Sequence, residues 1–157
     1  MRKRIVTSFE PKRTAVKAGW LDLETLAVVE VTSEDPAHPI EAAFSTEDSF
    51  GWQASVPGQQ VVRLLFDQPQ VLHRICLEFN EPSMERTQEY LLRWSGDGGQ
   101  SFHDIVRQQW NFSSPAATRE TEDHRVNLPG VTVLELVIVP DITERQMCAS
   151  LTHLRLA

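Results

Sequence analysis

Residues 88–112 read QEYLLRWSGDGGQSFHDIVRQQWNF, and their pattern decides the fold. Tyr90, Leu92 and Trp94 alternate with Leu91, Arg93 and Ser95, the period of two that marks a half-buried strand. Gly96-Asp97-Gly98-Gly99 stops it, because glycine reaches the positive φ that a tight hairpin turn needs. Phe102, Ile105 and Val106 open the return strand, which runs on to Trp110. The unit is an antiparallel hairpin. It carries Trp110-Asn111-Phe112 to the end away from the turn, next to residues 81–86.

Outward from the hairpin, apolar alternation recurs in short runs. Strands are expected at 25–32, 60–66, 71–79, 88–95, 102–110, 122–128, 132–139 and 148–156. Ser33 to Pro36 breaks the first, and residues 39–44 have room for one helical turn. Asp67-Gln68-Pro69-Gln70 and Pro129-Gly130 read as tight turns. Eight short strands with almost no helix predict an all-β protein, an antiparallel sandwich that buries Val62, Leu64, Ile75, Leu77, Leu92, Leu134, Leu136 and Ile138 between two sheets. Short and long connections alternate. If strand direction alternates too, every long loop falls at one end, and residues 49–52, 81–86, 110–120 and 141–145 form a candidate binding face.

The chain of 157 residues is 41% hydrophobic and 24% charged, which suits one globular domain. Residues 1–24 read as a basic N-terminal arm and 25–157 as the domain. Six basic residues against Glu10 give the first twenty residues a charge of +5, which leaves −12 for the rest of a chain whose total is −7. An acidic body argues against nucleic acid as the main partner. No apolar run approaches the ~20 residues of a membrane span. The basic start lacks the apolar core of a secretory signal, so a cytoplasmic location and no integral membrane association are expected. Cys76 and Cys148 are expected as buried free thiols.

Residues 25–157 resemble the galactose-binding-like jelly roll of discoidin domains and many carbohydrate-binding modules. The resemblance is carried by PIEAAFS, GWQA, PGQQVVRLLF, RICLEF, YLLRWSGDGG, QSFHDI and the closing ASLTHLRL. It implies an eight-stranded antiparallel jelly-roll β-sandwich in which Trp52 packs under the loops. Ser95, Asp97, Gly99, Ser101 and Phe102 also resemble an Asp-box, a folding device for hairpins. Ser95, Asp97 and Gly99 are therefore expected to be structural. Family members bind sugars, phospholipid head groups or proteins. Many relatives hold a structural Ca²⁺ near the first long loop, completed by a glutamate on the last strand. Here that strand reads Ser150-Leu151-Thr152-His153, and Glu47 and Asp48 are the carboxylates left for a hard cation. No other cofactor is implied.

The five histidines fall in no metal-binding spacing, no C-x-x-C occurs, and no nucleophile elbow or phosphate loop is present. Carboxylate pairs such as Glu120 and Glu122 are the remaining catalytic material, and a solvated acidic rim is the expected reading. The chain reads as a binding module, not an enzyme. Sugars offer apolar C–H faces beside hydroxyls, which aromatic rings and fork-like polar groups recognise. Trp110, Asn111, Phe112, Arg86, Gln88 and Glu120 have that character, as do Phe50 and Trp52. A carbohydrate or related polar ligand is the expected partner. The alternatives are an intracellular protein-interaction module and an accessory domain to a separate enzyme.

Overall fold

The computed structural model describes residues 19–45, 50–82, 84–113, 115–143 and 145–157. Most of the basic arm, along with Glu47 and Asp48, lies outside the described residues. Two single-turn helices, α1 (Leu23–Leu26) and α2 (Glu41–Phe44), accompany eight strands. These are β1 (Ala27–Val31), β2 (Trp52–Gln53), β3 (Gln60–Asn80), β4 (Arg86–Ser95), β5 (His103–Phe112), β6 (Arg119–Val139), β7 (Ser150–Leu151) and β8 (His153–Leu156).

The strands of the described residues are not those expected. The runs at 60–66 and 71–79 form one strand of 21 residues, and so do those at 122–128 and 132–139. Neither Pro69 nor Pro129-Gly130 closes a hairpin. β3 and β6 pair antiparallel along their length, from Gln60↔Ile138 to Asn80↔Arg119, with register shifts between Leu65 and Arg74. The turn residues mark a bend in a ribbon whose ladder continues past it. Proline lacks a donor and is tolerated where pairing is already interrupted.

The ladder runs β1-β3-β6-β4-β5, with β8 also on β3, and β2 pairs with β7 in a separate two-stranded sheet. The bend folds the ladder into two layers. One holds β1, residues 60–66 of β3, 133–139 of β6, β4 and β5. The other holds β8, residues 70–80 of β3 and 119–131 of β6. Phe79 of the second layer meets Tyr90 of the first at 5.4 Å between ring centroids, although their strands share no ladder. Between the layers lie Val62, Leu64, Leu72, Ile75, Leu77, Phe79, Leu92, Leu134, Leu136 and Ile138, all buried. The packed body starts earlier than the boundary drawn from composition. The Leu21 N–H donates to the Leu156 carbonyl, and Leu23 is buried.

Folding a strand back over itself reverses its direction as a hairpin would, so the long loops do gather at one end. Glu81 N–H donates to the Thr118 carbonyl, Ile142 N–H to Thr87 and Ala54 N–H to Ala149. Trp52 pairs with Leu151, and the adjoining Thr152 N–H donates to Glu78. The tight hairpin turn and both bends lie at the other end.

Candidate functional site

The hairpin turn is built as the Asp-box pattern implies. Asp97 accepts from the Ser95 hydroxyl at 2.6 Å, the Ser101 N–H at 2.9 Å and the Ser101 hydroxyl at 2.6 Å. The Gly99 N–H donates to Ser95 Oγ. Bonds to Ser101 and Ser95 hold the Asp97 carboxyl well below the usual carboxylate range. These groups stabilise a turn at the end remote from the long loops.

At the loop end, the alternation of β4 sends Arg86, Gln88, Tyr90 and Leu92 between the layers. Their partners on β5 are Phe112, Trp110, Gln108 and Val106. Facing them, the first part of β6 carries Glu120, Glu122 and His124. The result is a polar seam in the interior. Tyr90 and His124 are hydrogen-bonded across it at 2.8 Å, and Gln108 donates to Glu122 at 3.3 Å. Both bonds join the two layers, the first from β4 and the second from β5, which has no backbone pairing with β6.

Four residues of this region are under-satisfied. The buried Arg86 Nε and Nη2, both amide atoms of Gln88, Trp110 Nε1 and both carboxyl oxygens of Glu120 have no hydrogen-bond partner among the described residues. Only one other buried side-chain atom there, Arg155 Nε, shares that condition. Arg86, Gln88 and Glu120 are 3%, 1% and 1% exposed, so water does not reach them freely. Burial, with Glu122 alongside, pushes the Glu120 carboxyl up to about 8; the Gln88 amide, beside it but outside hydrogen-bond geometry, draws it the other way. Arg86 is anchored on its other side: Nη1 donates to the Cys148 carbonyl at 3.1 Å and lies 3.5 Å from Glu81, and the guanidinium carbon sits over the Phe112 ring. Burial lowers the Arg86 pKa, while Glu81 and Asp141 oppose that shift.

The eight residues named from sequence therefore separate. Arg86, Gln88, Trp110 and Glu120 come together in the seam. Asn111 is exposed beside it and accepts from the Thr87 hydroxyl. Phe50 is 88% exposed on its own loop, edge-on to His38. Phe112 and Trp52 are not ligand contacts: both are fully buried, and Trp52 packs under the loops as the resemblance implies, its indole N–H donating to the Ser33 carbonyl. They fill space under the loops and offer no face to a ligand. Sequence reasoning missed Tyr90, Gln108 and His124. The available signal was polar character at core-phase positions of alternating strands.

Among the described residues, no group of three or more histidine, cysteine, aspartate or glutamate side chains could hold a metal ion. Cys76 and Cys148 are free and half-buried. The Cys76 thiol donates to Asp123 at 3.2 Å, and burial raises its pKa. No described helix is long and apolar enough to cross a membrane.

No family model and no curated relative matches the sequence. Solved structures match well in shape. A family 32 carbohydrate-binding module from Clostridium perfringens, solved with GalNAc-β-1,3-galactose, superposes with a TM-score of 0.61 at 16% identity, over 87% of this chain and 98% of that one. The family 32 module of AlyQ, in complex with 4,5-unsaturated mannuronic acid, gives 0.58 at 14%, over 88% and 97%. Reduced XRCC1 bound to the DNA polymerase β catalytic domain gives 0.56 at 14%, over 84% and 94%. The seam and its loops are thus carried on a galactose-binding-like jelly roll, the fold that the sequence resembles.

Proposed function

We propose that this chain is a non-catalytic module that binds a carbohydrate or related polar ligand at its long-loop end. The observation that carries the reading is the concentration of unpaired buried polar atoms on Arg86, Gln88, Trp110 and Glu120. Each such group costs about 1–3 kcal/mol when left unpaired. A ligand rich in hydroxyls supplies the missing partners, since each hydroxyl both donates and accepts. Trp110 is only half-buried, and the Gln108–Glu122 bridge beside it is a single 3.3 Å hydrogen bond, so approach is from the side on which β5 and β6 face each other. Structural neighbours described with sugars support the carbohydrate class.

A glycan-array screen of the purified chain tests this. We expect a hit that is lost on Trp110→Ala with cooperative unfolding retained. Gln88→Leu should abolish the same hit while raising stability by about 1 kcal/mol, because it removes an unsatisfied buried amide. A blank array from folded protein would turn the reading toward a protein partner. Phe50, Val56, Met84 and Ile142 favour that second reading, being exposed apolar side chains on the loops of this same end.

A further inference from the structure

The outer edge of β1 has a separate character. Among the described residues β1 pairs with β3 alone, in an unbroken register from Ala27↔Phe66 to Val31↔Val62. The Thr32 N–H donates to the Val61 carbonyl. In an antiparallel pair, hydrogen-bonded and non-bonded residues alternate. Val28 and Glu30 therefore bond to β3, and the N–H and C=O groups of Val29 and Val31 point away from it. Among the described residues no backbone group bonds to them. Sheet edges are ordinarily guarded by proline, lysine or a bulge. Residues 27–31, AVVEV, have none of these. Along the strand runs a shallow concavity of about 650 Å³, lined by Val29, Glu30, Val31, Thr32, Val61 and Arg63. Val28 is 56% exposed on the same strand.

We propose that this edge is a second binding site, which takes an extended basic peptide as an added strand. The backbone groups of Val29 and Val31 provide the ladder, and strand addition draws its affinity from such main-chain bonds. Charge selects the peptide. The Glu30 side chain is 57% exposed; Arg63 Nη1 pairs with it at 3.6 Å, but Arg63 is shared with Glu135, so Glu30 still offers charge to a neighbour, and opposite charges facing each other across strands are favourable. Residues 21–157 carry −12, which also disfavours a second copy of the same body as the occupant.

The test is fluorescence polarisation with the full chain and a labelled eight-residue peptide of alternating valine and lysine. A valine–glutamate peptide serves as control. We expect saturable binding of the lysine peptide only. Val29→Pro should weaken it at least tenfold and leave the fold in place, because the lost N–H is one that β3 does not use. Glu30→Lys, on the exposed face, should reverse the preference toward the glutamate peptide. The proposal is overturned by no binding to the wild-type chain, equal binding by Val29→Pro, or a concentration-dependent dimer that Val29→Pro dissolves. Binding of a synthetic peptide of residues 1–18 without binding of the lysine probe would assign the edge to the chain's own sequence and would also overturn it. None of these readouts depends on sugar binding at the loop end.

Discussion

A glutamate shut away from water beside a second glutamate holds its proton more tightly than one in solution. Glu120 is in that position, and the sign of its effect on stability follows. Its folded pKa, raised to about 8, lies above the ordinary glutamate value, so the folded chain binds the extra proton at pH values between the two. Stability is full below the glutamate range and falls as pH climbs toward about 8. A Tm series across that interval should slope downward, and Glu120→Gln, which has no proton to lose, should flatten it. Gly51 presents a steric case. Its φ is +73°, and a Cβ there would overlap the Leu151 carbonyl oxygen and lie 2.5 Å from Thr152 Cα. Gly51→Ala should cost about 3 kcal/mol or more in denaturant unfolding, because both obstacles are backbone. Asp97→Ala should lower Tm by a few degrees without altering ligand binding, since its bonds end within the turn. The Asp97 turn was fully legible from sequence, because its chemistry is local. The burial of Phe112 was not, because a ring beside a polar loop reads alike whether it faces inward or outward.

Among the strands, the outer face of β1, β3, β6 and β4 carries a row of alternating charge. Glu30, Arg63, Glu135 and Arg93 stand side by side, and Glu135 accepts from both arginines, at 2.9 Å from Arg63 Nε. Glu135 is 1% exposed, while the arginines are about a third exposed. Glu135→Leu should therefore cost about 2 kcal/mol, below the range for a fully buried pair because water still reaches both cations. Hydrogen exchange tests the edge assignment on β1 directly: the amides of Val28 and Glu30 should be protected, and those of Val29 and Val31 should exchange quickly. Periodicity revealed where strands lie but not where they end. Pro69 and Pro129-Gly130 signal a change of direction, and a corner in a continuous ladder satisfies that signal as well as a hairpin does. The gathering of the long loops survived this difference, because it depended on reversal and not on termination. Gln88 and Glu120 could be named, but their meeting could not, since it requires the two layers to face each other.

At the scale of the molecule, the same scaffold holds a polar seam at the loop end and an unguarded strand at its flank, each testable without the other. Both rest on the long ribbon of β3 and β6. Because each of these strands crosses from one layer to the other, neither layer can come apart while the other stays intact. Unfolding should be a single cooperative event, with far-ultraviolet and tryptophan signals tracing one denaturant curve. The ribbon also brings Gln60 against Ile138 and Glu30 within reach of Glu135 through Arg63, contacts between residues far apart in the chain. Closing such distant contacts is slow, and nearly all of the protein waits on them. The chain should thus refold on the millisecond-to-second scale. Until the ribbon forms, the AVVEV segment has no partner, which makes the refolding interval the time at which this protein is most prone to aggregate.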